Sequence, residues 1–211
     1  MRDPLVAAVL LLTVTSASIG QSSHNATVSS SYAAYSAFLK SKIEQDSDVK
    51  TLFVFGEGSL IAPHTITSSD SRFDGITDPR TQQAIKRAMP ELQDETIHSL
   101  VECSGAAQSI GTHFSLPVRY VIATEQEIGD IERMYRNHPQ THGYFQFSCV
   151  GFNSSGNQAL FYIQQLAYSY QGGEYVLMGR TGVGQWERRR TLLQWSVVHP
   201  PKLDTEGLGF C

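Results

Sequence analysis

Three cysteines, seven histidines and twenty carboxylates are what this chain of 211 residues offers to chemistry. Their spacing matters more than their number. His138 and His142 are four apart, which on a helix would put two imidazoles on one face, as in a zinc-binding H-E-x-x-H segment. Pro139 lies between them, Gly143 follows, and no Glu comes after the first His. The segment reads as a loop at a helix exit. Asp70, Asp74 and Asp78 are evenly spaced, but a calcium loop needs acceptors at alternate positions and a Gly at the sixth. They read as capping and turn residues. No Cys-x-x-Cys or Cys/His cluster is present, so the sequence points to no metal and no cofactor.

Nucleophilic catalysis fares no better. A serine hydrolase elbow carries G-x-S-x-G, and the chain has none. Ser104-Gly105 and Ser154-Ser155-Gly156 are turn compositions. A cysteine nucleophile needs a His and an electropositive setting. Cys103 with His98 or His113 has the parts, yet its helical position favours a buried structural Cys. In an oxidising compartment two of the three cysteines can pair. Cys103 with Cys149 is the favoured pair, because both fall in ordered-looking elements. The other reading makes both of them small buried hydrophobes. Cys211 ends the chain, either free or linking two chains. Among the carboxylates, Glu125 and Glu127 suit a helix N-terminus, and Asp130 and Glu132 extend the same acidic patch without forming an acid/base pair.

The elements that would position these groups follow from pattern. Hydrophobic residues make up 41% and charged residues 17% of the chain, enough for one sizeable core and too few charges for a disordered chain. The net charge of -4 argues against a nucleic-acid partner. The one basic run, Arg188-Arg189-Arg190, reads as charge guarding a strand edge. Arg2 precedes an apolar run from Leu5 to Ala17, closed by the small residues Ser18 and Gly20. That is a secretory signal pattern, too short to span a membrane. The expected layout is a signal peptide at 1-20, a Ser-rich flexible leader at 21-31, a single domain at 32-200 and a tail at 201-211. The mature chain is expected to be secreted or periplasmic, with no transmembrane segment.

Within the domain, Tyr32 to Ile43 has helical spacing. Thr51 to Phe55 is a strand. Asp78 caps a helix beginning at Pro79. A further helix starts near Pro90, with Leu92, Thr96, Leu100 and Cys103 in register, and stops at Gly105. Leu116 to Ala123 is a strand, and Thr124 to Glu127 is a capping box opening a helix to about Tyr135. Strands then follow at Phe145 to Phe152, Gln158 to Tyr168, Glu174 to Arg180 and Gln185 to Val198. Gly172-Gly173 is expected to be a hairpin turn. The predicted fold is α+β, with N-terminal helices packed on a C-terminal antiparallel β-meander and covering one face of it.

Several of these residues carry a resemblance. Ser148-Cys149-Val150-Gly151-Phe152-Asn153, Gln158-Ala159-Leu160-Phe161-Tyr162-Ile163, Gly172-Gly173-Glu174-Tyr175-Val176-Leu177 and Gly184-Gln185-Trp186 resemble the C-terminal meander of an exported bacterial domain family of unknown function. That family reads Ser-Arg-Val-Gly-Phe-Asn, Gln-Ala-Leu-Val-Tyr-Val, Gly-x-Tyr-x-Leu-Leu and Gly-x-Trp. Cys149 stands where the family has Arg. Where many relatives have hairpin cysteines, this chain has Tyr168, Tyr170 and Gln171. The resemblance implies fold and export and brings no activity with it.

The functional expectation therefore rests on strand aromatics. Tyr162, Gln164, Leu166 and Tyr168 share one face by alternation. Exposed aromatics beside glutamines make a surface for sugars, peptides or proteins. Taken singly, each aromatic is better explained by ordinary cross-strand pairing. Tyr162, Tyr168, Tyr170, Arg180 and Trp186 are the binding candidates, for a protein or an envelope component. The sequence thus predicts an exported, non-catalytic binding domain. The alternative is a secreted hydrolase using His98, His113 or His142 with a nearby Asp or Ser.

Overall fold

The computed structural model describes residues 19–56, 75–104, 110–128 and 130–198. In chain order the elements are α1 (Ile19–Gln45), β1 (Thr51–Phe55), α2 (Pro79–Ala88), α3 (Asp94–Cys103), β2 (Arg119–Ala123), α4 (Glu125–Ile128), α5 (Ile131–Asn137), β3 (Thr141–Phe147), β4 (Gly151–Phe152), β5 (Gln158–Leu166), β6 (Tyr170–Arg180) and β7 (Trp186–Val198). The signal run before Ile19, Asp70, Asp74, Gly105 and the tail with Cys211 lie outside the described residues. Helix α1 begins at Ile19 and so takes in the segment 21-31 expected as a flexible leader.

The seven described strands form one sheet in the order β2-β1-β3-β5-β6-β7, with β4 paired to β5. The C-terminal strands are antiparallel, as the meander predicts. The N-terminal part is not: β1 runs parallel to both β2 and β3. Parallel neighbours need long crossovers. The helices between β1, β2 and β3 supply them.

Helices cover both faces of the sheet, where the sequence suggested one. Tyr35, Phe38 and Leu39 of α1 pack on Leu52, Val54, Phe145, Phe147, Phe161 and Ile163. On the opposite face, Ile85, Ile97 and Leu100 of α2 and α3 pack on Leu160, Tyr162, Tyr175 and Leu177. There too, Met134 of α5 packs on Phe53, Ala123 and Tyr144. The reason lies in β5, buried at every position from Ala159 to Ile163. A strand apolar at consecutive positions must be covered on both sides.

Gly172 and Gly173 do not turn the chain. Both lie inside β6, opposite Gln165 and Gln164 of β5. The reversal falls at 167–169, where the Ala167 N–H donates to the Tyr170 carbonyl at 2.7 Å. The glycines serve close packing instead. A Cβ on Gly172 would meet the Tyr170 hydroxyl, and one on Gly173 would meet the hydroxyl of Tyr162 and the indole nitrogen of Trp195. Two phenols thus lie over the glycine pair from neighbouring positions, the packing that glycine in a strand permits.

Cys103 and Cys149 are joined by a disulfide, which ties the end of α3 to the link between β3 and β4. The same helix touches β4 so closely that a Cβ on Gly151 would overlap the Thr96 carbonyl. The turn after β4 is built on Asn153, only 4% exposed. Its Oδ1 accepts from the N–H groups of Asn157 and Gln158, both at 3.0 Å. Its amide donates to Gln93 at 2.8 Å.

Candidate functional site

The sequence candidates do not converge. Arg180 and Trp186 pair across one end of β6 and β7, with the guanidinium 4.9 Å above the indole ring. Trp186 is itself buried in the α1 core. Tyr168 and Tyr170 sit at the other end of β6. Tyr168 is exposed and packs edge-on against Tyr135 at 6.0 Å. Tyr162 is buried under α2 and α3, where its hydroxyl accepts from Trp195 Nε1 at 2.8 Å. Burial pushes its phenol up to about 12. These residues pack the sheet and turns rather than meeting at one place.

The histidines are equally scattered. His98 is exposed on α3, 3.1 Å from Glu102. His113 packs edge-on to Tyr32 at 5.1 Å. His138 and His142 part company: His138 packs edge-on to Phe53 at 5.1 Å, while His142 faces Asp46, just past the end of α1, at 3.7 Å. Among the described residues no three His, Cys, Asp or Glu side chains group as a metal site would require. Two of the three clustered arginines are paired, Arg190 with Glu91 at 2.9 Å and Arg189 with Glu187 at 2.6 Å.

A cleft of about 450 Å³ does exist, around α5. Its apolar walls are Phe53, Met134 and Tyr144, and its polar walls Thr124, Gln126, Glu127, Asp130, Arg133, Asn137 and His138. Local rules place each group. Thr124 opens α4, and Glu127 Oε2 accepts from both the Thr124 N–H at 2.8 Å and its hydroxyl at 3.1 Å. This is the predicted capping box. Asp130 then caps α5, its Oδ1 accepting from the Arg133 N–H at 2.8 Å. The predicted single helix is therefore two, because Asp130 starts a second one.

Both carboxylates are thus tied to backbone. Tyr144 is held as well: its hydroxyl donates to the Glu127 carbonyl at 2.6 Å. Burial, with Glu127 and Asp130 adding to it, holds its phenol above the usual range. The side chains of Gln126, Arg133, Asn137 and His138 make no hydrogen bond or ion pair with the described residues. Arg133 and Asn137 are four apart on α5, so they share one side of the helix. His138 follows with its ring on the Phe53 wall. Helical spacing is the one sequence signal for this group, because Phe53 and Tyr144 come from distant strands.

No family model, no curated protein and no solved structure matches the chain. No described helix is long and apolar enough to cross a membrane.

Proposed function

We propose that the protein is an exported binding module of bacterial origin that holds a small polar ligand in the α5 cleft. One observation carries this reading. The cleft's two carboxylates are occupied in capping helices, while Arg133, Asn137 and His138 keep their hydrogen-bonding groups for something else. Acid/base work by the two carboxylates is disfavoured because Glu127 Oε2 and Asp130 Oδ1 already accept helix-capping bonds, which leaves His138 as the cleft group able to exchange a proton with a substrate. Binding needs only an apolar wall and a few convergent polar groups. Phe53, Met134 and Tyr144 provide the wall.

Export is the companion proposal. Its support is the apolar run after Arg2 and the small residues at Ser18 and Gly20. Processing after Gly20 would leave α1 as the first element of the mature chain.

The test is a thermal-shift screen of the chain from Gln21, with sugars, peptidoglycan fragments, nucleotides and short peptides as probes. A ligand that binds only the folded state raises the melting temperature by mass action. The expected result is a hit that disappears in Asn137→Trp, whose indole would fill the cleft. A hit that survives this substitution would place binding elsewhere. Turnover of a bound probe would favour the hydrolase reading.

A further inference from the structure

The sheet ends on β2 at one side and β7 at the other. Edge β2 is five residues long, and β7 is thirteen. No described strand pairs with the outer edge of β7. Three of the exposed large apolar residues also lie on it: Leu193 at 53%, Val197 at 45% and Val198 at 72% exposure. An edge of this length that no described strand covers, with apolar side chains beside it, is a template for another strand.

We propose that the occupant is β7 of a second copy, paired antiparallel about a twofold axis at Leu192. The argument is one of self-complementarity. In an antiparallel pair, residues equidistant from the axis stand opposite each other and share a face. The register with β6 assigns those faces. Trp186, Arg188, Thr191, Leu193, Ser196 and Val198 lie opposite Arg180, Met178, Val176, Glu174, Gly172 and Tyr170, on the α1 side. Glu187, Leu192 and Val197 lie opposite Gly179, Tyr175 and Gln171, on the other side. The register shifts between Gly173 and Glu174 and between Leu177 and Met178 break the simple alternation of β7, so most centres of symmetry are forbidden.

Leu192 is allowed. About it, Thr191 meets Leu193 of the second copy, Arg188 meets Ser196, and Trp186 meets Val198, all on the α1 side. Glu187 meets Val197 on the other. Thr191 as the axis would satisfy the faces too, but it would set Val197 and Val198 against Gln185 and Gly184, which precede the strand. Only Leu192 pairs the whole of β7 with itself. The charges agree: Arg188, Arg189 and Arg190 fall opposite Ser196, Trp195 and Gln194, so no arginine faces another. The exposed Leu193 and Val198 come to lie beside Thr191 and Trp186.

The test uses two full-length edge-cysteine variants, Thr191→Cys and Leu193→Cys, each also carrying a tag of different length and Cys211→Ser, so that the introduced thiol is the only one outside the Cys103–Cys149 disulfide. Both positions are exposed, and the melting temperature of each variant checks its fold. Each is oxidised alone and then mixed with the other. An axis at Leu192 predicts disulfide-linked dimers only in the mixture, joining unlike chains. Light scattering on the wild-type chain should give twice the monomer mass, and Leu193→Lys should halve it. Wild-type protein that stays monomeric overturns the proposal, as would an acidic or C-terminal segment of the chain occupying the edge. Cross-linking of Thr191→Cys with itself would move the axis to Thr191 and overturn the register.

Discussion

Gln158 caps a helix that lies 62 residues before it: its Oε1 accepts the hydroxyl of Thr96 at 2.8 Å. The same oxygen accepts the backbone N–H of Gln93, also at 2.8 Å. Gln93 is the N-cap of α3 and makes no side-chain cap of its own. The acceptor that a local capping box would supply comes instead from the first residue of β5. The Gln158 amide completes the tie by donating to the Glu91 carbonyl at 3.0 Å.

Gln158→Ala should therefore destabilise the fold by about 0.5–2 kcal/mol, the usual range for a lost cap. The loss should appear first as faster hydrogen exchange in the opening turn of α3. Gln158→Glu keeps both acceptors and should retain most of that protection. Equal effects of the two substitutions would count against a capping role.

Reducing the Cys103–Cys149 bond should cost more. It closes a loop of 46 residues, for which loop-closure entropy gives about 4 kcal/mol. Melting with and without reductant measures the difference, and Cys149→Ser should match the reduced protein. If the reductant leaves the melting temperature unchanged, the bond contributes little to the fold.

Such caps and bonds divide what the sequence reveals from what it hides. The start of α2 was legible: Asp78 Oδ1 accepts the Arg80 N–H at 2.8 Å, and Pro79 follows it. So was the Thr124–Glu127 box. Both are settled within four residues. The role of Gln158 was not legible, since nothing near it in the chain is a helix. Gly172-Gly173 misled for a related reason. Glycine permits a turn or a close approach equally, and the phenol over Gly173 comes from Tyr162 on another strand. The parallel pairing of β1 with β2 and β3 likewise depends on contacts 68 to 91 residues apart. The cleft around α5 shares that origin, with Phe53 and Tyr144 brought together by pairing across the sheet.

A pair of substitutions separates close approach from turn at Gly173. Gly173→Ala puts a methyl group onto the Tyr162 hydroxyl and should cost about 1–3 kcal/mol, the range for overpacking. Tyr162→Phe removes that hydroxyl along with its bond from Trp195. The double variant should be less destabilised than the sum of the two singles, with a coupling of about 0.5 kcal/mol or more. Strict additivity in chemical denaturation would show that the two residues do not constrain each other.

Stability should also fall on mild acidification through His142. Burial holds its imidazole below the ordinary value, more strongly than Asp46 raises it, and Lys42 adds to the lowering. The folded state then binds fewer protons than the unfolded chain below an unfolded pKa of about 6.5. This contribution is complete above that pH and is lost as the pH falls from there through the folded value. Asp46→Asn removes the one charge favouring the imidazolium and should steepen the loss. His142→Gln should flatten it. A melting curve insensitive to both substitutions between neutral and mildly acidic pH would exclude His142 as the source.

The link between Cys103 and Cys149 also has a topological result. Between its ends the chain runs through β2, α4, α5 and β3, carrying every wall of the α5 cleft except Phe53. One protease cut anywhere within that ring cannot separate the molecule into two pieces, because the sulfur bridge holds both ends. The cleft is mounted on a covalent hoop, and a nicked molecule keeps all of its parts for as long as its surroundings stay oxidising.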